Sequence, residues 1–99
     1  MKFEWDENKN IKNIKKHQVS FDEAKTVFYD SNALYEYDAE HSTKEERFKI
    51  IGASYKERLL IVCHCVKEND IIRIFSAREA DAEEKEMYYK TIGGKKWLN

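Results

Sequence analysis

Between residues 33 and 75 the chain makes four runs rich in β-branched and aromatic side chains, roughly 33–38, 47–54, 58–66 and 70–75, and no gap between them exceeds eight residues. A crossover that returns a chain parallel to its neighbour needs about a dozen residues or more, so each of these strands must double back on the one before. That constraint selects a meandering antiparallel sheet. No proline occurs anywhere in the 99 residues, so none of these runs is demoted to a sheet edge on that account.

The flanking segments supply helices. Lys2 to Trp5 reads as a short strand, and Asp6 can cap a helix running to about Lys16 with Ile11 and Ile14 on its buried side. Ser20-Phe21-Asp22-Glu23 has the form of a capping box, in which the Ser20 hydroxyl takes the Glu23 amide and the Glu23 carboxylate returns to the Ser20 amide. The helix it opens should bury Ala24, Val27 and Phe28 and stop at Asp30-Ser31-Asn32. Ser76-Ala77-Arg78-Glu79 repeats the pattern and predicts a last helix to about Lys90. The expected fold class is α+β: a small antiparallel sheet with two N-terminal helices and one C-terminal helix, the helices packed on one face.

A chain of 99 residues suits one domain with one core, expected over residues 1–92 with 93–99 as a flexible tail. Apolar residues at 41% are enough for that core, and 37% charged residues leave a polar surface, a balance that excludes the disordered class. No apolar run approaches the roughly 18 residues of a membrane span. Met1 is followed by Lys2-Phe3-Glu4-Trp5-Asp6 and not by an apolar signal-peptide core, so a cytoplasmic location without a membrane partner is expected. Cys63 and Cys65, one residue apart, cannot staple distant segments and should be reduced thiols.

A net charge of -1 argues against indiscriminate nucleic-acid binding. The average hides a segregation. From Asp22 to Glu46 eight acidic residues face two lysines, whereas from Arg47 to Arg78 seven cationic residues face three acidic ones, a local +4. Charge blocks are common on solvated faces, so the positions within the strands decide more than the count. Two-residue turns at Lys56-Glu57 and Glu68-Asn69 would set Lys49 opposite His64 and His64 opposite Arg73. One face would then carry the row Lys49–His64–Arg73 with Arg47 beside it, and the other would collect Phe48, Ile50, Ile61, Cys63, Cys65, Ile72 and Ile74 as core. Neither turn has the glycine favoured in tight hairpins, but any even loop keeps these faces, whereas a three-residue loop would bury Arg73 or Lys49, so the hydrophobic pattern itself supports this register.

That row suits RNA cleavage without a metal. The reaction needs a base for the ribose 2′-hydroxyl, an acid for the leaving oxygen and fixed cations where charge develops on the phosphate. His64 is the natural proton-transfer residue, and flanking cations would favour its neutral form. Guanidinium forks suit phosphate, which assigns Arg73 and Arg47 to the scissile or an adjacent phosphate, with Lys49 beside them. Which residue acts as base and which as acid stays open. Arg78 at the start of the last helix, together with Arg58, could form a second anion site, or Arg78 could pair with Glu57 or Asp81. His41, Glu45 and Glu46 precede Arg47 in a loop, where they could serve as acid, base or hydrogen-bond acceptor, His41 contacting RNA, although the commoner reading of such a stretch is a solvated loop. His17 ends a helix and reads as structural. No metal site is expected: in Cys63-His64-Cys65 the thiols share a strand face and the imidazole points to the other, and no cluster of carboxylates is set up for magnesium.

Several separated blocks, Phe3-Glu4-Trp5-Asp6, Lys16-His17, Val19-Ser20-Phe21, His41-Ser42, Glu45-Glu46-Arg47, Ile51-Gly52-Ala53-Ser54, Arg58-Leu59-Leu60, Cys63-His64-Cys65 and Ile72-Arg73-Ile74-Phe75-Ser76-Ala77-Arg78, stand in the order of one known family. Over Lys2 to about Tyr89 the chain resembles the BrnT toxins of bacterial type II toxin–antitoxin modules. The resemblance implies a fold like the RelE-type ribonuclease toxins and RNA cleavage that stops translation; on the residue inventory no cofactor is expected. It also implies a cognate ribbon-helix-helix antitoxin of the BrnA kind, through which alone the toxin would reach operator DNA. The family commonly has glycine after Lys-His, where this chain has Gln18. The alternative is a weak or inactive copy that serves only as an interaction module with its antitoxin.

Overall fold

A computed structural model describes residues 1–98, with side chains as far as residue 93. Five strands form one mixed sheet in the order β1-β5-β4-β3-β2, with β1 at Lys2–Glu4, β2 at Leu34–Tyr37, β3 at Phe48–Ala53, β4 at Leu59–Lys67 and β5 at Ile71–Glu79. Strands β2 to β5 form the antiparallel meander that their short connections require, and β1 adds a parallel edge beside β5. The helices are α1 (Glu7–His17), α2 (Phe21–Ala24, continued by a 3-10 turn Lys25–Tyr29) and α3 (Ala82–Leu98). The stretch expected to form a tail falls mostly among residues whose side chains lie outside the description. No helix among the described residues is long and apolar enough to cross a membrane.

The helices lie on both faces, not on one. Val19, Phe21, Ala24, Val27 and Phe28 pack on Ile50, Leu60, Val62, Ile72, Ile74 and Ala77, which all point to one side. Each valine, leucine, isoleucine or phenylalanine among them, fully buried, contributes roughly 1.5–3 kcal/mol. On the opposite side α3 lays Tyr88 and Ile92 over Ile51, Leu59 and Ile61. The Tyr88 hydroxyl donates to the Asp30 carboxylate, which also accepts the Ala53 amide at 2.8 Å, so one acidic side chain ties α3, β3 and the end of the 3-10 turn together. Gly52 lets β3 approach that turn closely: a Cβ there would lie 3.1 Å from the Val27 carbonyl oxygen.

Asp6 caps α1 as expected, accepting the amides of Asn8 at 2.8 Å and Lys9 at 3.3 Å. Its buried side is different. Ile11 and Ile14 are 47% and 42% exposed, while Asn10 and Asn13 face inward. The reason lies in what α1 covers. Beyond the end of β1 the backbone of β5 has lost its strand partner, and the Asn13 amide replaces one: Nδ2 donates to Ala77 O at 2.8 Å and Oδ1 accepts the Ala77 amide at 3.1 Å. Asn10 likewise accepts the Phe21 amide at 2.9 Å. Isoleucine could satisfy neither group, and an unpaired buried backbone group costs about 1–3 kcal/mol.

The two capping boxes also resolve differently. Ser20 Oγ accepts the Glu23 amide at 3.0 Å, but the Glu23 carboxylate turns inward instead of returning to Ser20. The box at Ser76–Glu79 does not form, because β5 continues through those residues. Asp81 and Glu84 form it instead, each side chain accepting the other's amide at 2.9 and 2.8 Å, and α3 starts there.

Candidate functional site

The register of β4 decides what the sheet offers. The Ser54 amide donates to Arg58 O at 2.9 Å and the Glu57 amide to Ser54 O at 2.8 Å, which closes a three-residue loop with Glu57 in the left-handed region at φ 62. Glu68-Asn69-Asp70 is a second three-residue loop, with Asn69 and Asp70 at φ 63 and 59. Each loop is one residue longer than the turn expected from sequence, and the two slips act in series. Strand β4 turns over, while β3 and β5 keep their facing relative to one another. Lys49 therefore pairs with Cys63, Arg73 with Cys65, and His64 with Phe48 and Ile74.

The row Lys49–His64–Arg73 does not form. His64 is 2% exposed, packed edge-on against Phe28 with ring centroids 4.7 Å apart, and its Nδ1 bonds the Val62 carbonyl at 3.1 Å. Burial pushes its pKa below the usual histidine value, so the ring is held neutral inside the core. Lys49 and Arg73 do share a face, with Cys63 and Cys65 between them. Those two thiols and Ile61, which the sequence reading sets on one core face with Phe48, Ile50, Ile72 and Ile74, lie on the face opposite those four.

A bulge adds a second cation pair to this face. His64 pairs with Ile74 but Cys63 pairs with Ser76, which leaves Phe75 as an extra residue. Arg73 and Arg78, an odd number of residues apart, consequently point the same way. Arg78 is thus a strand residue opposite Ile61 and not the second residue of a helix; its two terminal nitrogens donate to Glu84 Oε1 and Oε2 at 2.8 and 2.9 Å. These bonds hold the Glu84 carboxyl below its usual range. Arg73 Nη1 donates to Glu4 Oε2 at 2.8 Å, shared with Lys67 Nζ at 2.9 Å, and Glu4 is depressed by hydrogen bonds from Lys67 and Arg73. The Arg47 guanidinium stacks on Phe75, 3.8 Å from the ring centroid. Its Nη2 reaches Glu45 at 3.3 Å, and its buried Nε has no hydrogen-bond partner among the described residues. Lys49 enters no ion pair among the described residues.

The loop from Asp38 to Arg47 forms a wall beside these cations. Its ends are tied by the Asp38 amide donating to Arg47 O at 2.8 Å, and Ser42 Oγ locks it by donating to Asp38 O at 2.6 Å and accepting the Arg47 amide at 2.8 Å. Inside the wall His41 Nδ1 lies 2.8 Å from Asp38 Oδ2, and Cys63 Sγ donates to the same oxygen at 3.3 Å. Burial raises the Asp38 pKa, but hydrogen bonds from His41 and Cys63 and the charges of His41 and Lys49 outweigh it, and the carboxyl stays ionised below its usual range. Burial, then the Asp38 carboxylate, pushes the Cys63 thiol up. Behind His41 stands a buried carboxylate, and its own side chain is 52% exposed to solvent.

Of the residues singled out from sequence, Lys49, Arg47, Arg73, Arg78 and His41 come to one face, and His64 and Arg58 do not. Arg58 turns away to Glu23, a side chain 1% exposed: its Nε donates to Oε2 at 3.0 Å and its Nη2 to Oε1. The other bonds go to Glu79 Oε1 at 3.0 Å and Gln18 O at 3.1 Å, and Glu23 takes Ser54 Oγ at 2.7 Å as well. Arg58 and Arg78 are thus engaged by different buried or half-buried carboxylates, Glu23 and Glu84. Sequence reasoning missed Asp38, although the spacing Asp38-x-x-His41 next to a strand end was visible, and it took Phe75 for ordinary strand when it is the ring under Arg47.

The fold and this face can be set beside known proteins. The crystal structure of the Brucella abortus ribonuclease toxin, BrnT, superposes with a TM-score of 0.60 at 24% identity, covering 82% of this chain and 97% of that one, a likeness of fold. No curated protein matches the sequence. The model of the family described as "Ribonuclease toxin, BrnT, of type II toxin-antitoxin system" matches residues 5–84, a span that holds β2 to β5, the loop with His41 and every cation of the face. The chain belongs to the BrnT family of ribonuclease toxins of type II toxin–antitoxin systems.

Proposed function

We propose that this chain cleaves RNA without a metal cofactor, and that His41, backed by Asp38, moves the proton. The carrying observation is the Asp38–His41 pair at 2.8 Å, set at the rim of a face that holds Arg47, Lys49, Arg73 and Arg78. Asp38 fixes the ring orientation and stabilises the imidazolium that forms when His41 takes the 2′-hydroxyl proton, the role a buried carboxylate plays behind any catalytic histidine. Arg47, held flat on Phe75, offers a fixed guanidinium whose terminal nitrogens can exchange Glu45 for a phosphate. Lys49 adds a cation with no carboxylate bound to it, and Arg73 and Arg78 can exchange Glu4 and Glu84 for phosphate oxygens. Glu4, Glu45 and Glu84 are engaged with these arginines, which supports cation-assisted attack by the 2′-hydroxyl over carboxylate-held magnesium.

In this reading the toxin acts in the cytoplasm, its cleavage inhibits translation, and a ribbon-helix-helix antitoxin neutralises it by covering the cationic face. The complex would meet operator DNA only through the antitoxin. A second reading, an interaction module without activity, draws on the same ion pairs, since Arg47, Arg73 and Arg78 already hold carboxylates. Incubating purified protein with RNA in EDTA and probing the ends separates the two. Cleavage that persists and leaves a 2′,3′-cyclic phosphate or 3′-phosphate beside a 5′-hydroxyl supports the enzyme. Ends with 5′-phosphate, or loss of activity in EDTA, would overturn the mechanism, and a folded protein that never cuts leaves the interaction module.

A further inference from the structure

Three ligating atoms of three chemical kinds converge where β4 meets the loop after β2. Asp38 Oδ2, His41 Nδ1 and Cys63 Sγ all lie within 4.8 Å of one another. Two separations are closer still, 2.8 Å from carboxylate oxygen to imidazole nitrogen and 3.3 Å from that oxygen to sulfur. We propose that these three side chains form a binding site for a zinc ion, with the fourth position open to water.

Donor chemistry and geometry both point to this ion. A thiolate, an imidazole and one carboxylate make a mixed S, N, O set, which suits zinc and is foreign to calcium or magnesium, whose sites are built from oxygens. Bond lengths of about 2.3 Å to sulfur and about 2.0–2.2 Å to nitrogen and oxygen place tetrahedral ligand atoms about 3.3–3.7 Å apart. The oxygen–sulfur separation already has that value; filling the site requires that His41 and Asp38 open by about half an ångström and that the imidazole nitrogen and the sulfur, within 4.8 Å of one another, settle at about 3.5 Å. Asp38 and Cys63 are held in place, the first buried and the second on a central strand, and the ring that must move is the exposed one. On binding, the Cys63 thiol proton leaves to solvent and the neutral His41 ring shifts its proton from Nδ1, where it faces Asp38, to Nε2, so that Zn²⁺ with one thiolate and one carboxylate is neutral. His64, although it stands between the two cysteines in sequence, takes no part because it points to the other side of the sheet.

Resting on the ribonuclease reading, an occupied site would take His41 out of proton transfer, making zinc an inhibitor rather than a cofactor. The test uses the full-length, reduced, chelator-treated protein titrated with Co²⁺ as a spectroscopic stand-in for zinc. The expected result is a thiolate-to-cobalt charge-transfer band that saturates at one equivalent and is displaced by Zn²⁺. It should vanish in Cys63→Ser, weaken at least tenfold in affinity in His41→Ala and Asp38→Asn, and persist in Cys65→Ser. Circular dichroism of each variant checks folding, and the Cys65→Ser band shows that losing one thiol does not by itself remove the signal. Absence of the band in the wild-type protein, or its survival in Cys63→Ser, would overturn the site. RNA cleavage measured with and without one equivalent of Zn²⁺ then reads the consequence separately. Loss of cleavage that a chelator reverses supports it, whereas a saturated cobalt band with undiminished cleavage keeps the metal site and removes His41 from catalysis.

Discussion

Cys63 and His64 are adjacent in β4 and face opposite sides of the sheet: Cys63 Sγ donates to Asp38 beside the cationic face, and His64 is sealed against Phe28 in the core. The residue with the chemistry most suited to catalysis in the strand is therefore the one RNA cannot reach. Cys63 and Cys65 stand between Lys49 and Arg73, where the sequence reading sets His64, and the histidine at the rim of that face is His41, in the loop.

Replacing His64 should cost stability. His64→Ala removes a ring packed among Phe28, Phe48 and Tyr35 and is expected to lower unfolding free energy by about 2–4 kcal/mol. The pH dependence carries a sign. Burial depresses the folded-state pKa, so the unfolded chain binds more protons in mild acid and stability rises with pH there. The His64 contribution is complete above about pH 6.5 and is lost as pH falls from there toward the folded value. Urea unfolding between about pH 6.5 and 5, a window above the carboxylate range, should show this loss in the wild type and a flatter profile in His64→Leu. Equal slopes would mean that His64 titrates normally.

His41→Ala should reduce RNA cleavage by about 10²- to 10⁴-fold with little change in unfolding midpoint, because the side chain is half exposed. Asp38→Asn should lower turnover with a smaller effect on KM, since Asp38 acts through His41. Activity in a folded His41→Ala protein at the wild-type rate would remove the dyad from the mechanism.

Arg58 is predicted to serve stability alone. Arg58→Ala leaves the Glu23 carboxylate buried without its partner and should cost about 3 kcal/mol in chemical denaturation. Burial raises the Glu23 pKa, but hydrogen bonds from Arg58 and Ser54 and the charges of Arg58 and Lys56 outweigh it, leaving the carboxyl below its ordinary value of 4.5. Its contribution is thus present above that value and lost as pH falls through the folded pKa. Below its melting temperature Arg58→Ala should cleave RNA at the wild-type rate; a specific loss of KM would restore Arg58 to the binding site.

Gln18 ends α1 in the left-handed conformation, φ 56 and ψ 33, with its amide on Ile14 O at 2.9 Å. A side chain in that region costs about 1 kcal/mol, and glycine avoids it. Gln18→Gly should accordingly stabilise the protein by about 1 kcal/mol, read as a raised unfolding midpoint at constant m-value; an unchanged midpoint would show that the Gln18 Nε2 bond to Lys15 O at 3.1 Å compensates.

The sequence by itself determined the meander, the caps at Asp6 and Ser20, the buried face of α2 and the family, because each rests on local chemistry or on short connections. It could not determine which way β4 faces. Leu59-Leu60-Ile61-Val62-Cys63-His64-Cys65 is apolar on both sides, and both sides of that strand are covered over part of its length, so no alternation marks the core. The decision fell to two loops closed by Glu57, Asn69 and Asp70 in left-handed conformations, which residue type alone does not announce at non-glycine positions. The bulge at Phe75 then set Arg73 and Arg78 on one face. The same kind of non-local demand, unpaired backbone at Ala77 on β5 for Asn13 and at Phe21 for Asn10, turned these two inward and left Ile11 and Ile14 outside. The tertiary structure alone decided these placements, since each satisfies a partner far away in the chain: Asn13 with Ala77, Cys63 with Asp38, and Arg58 with Glu23.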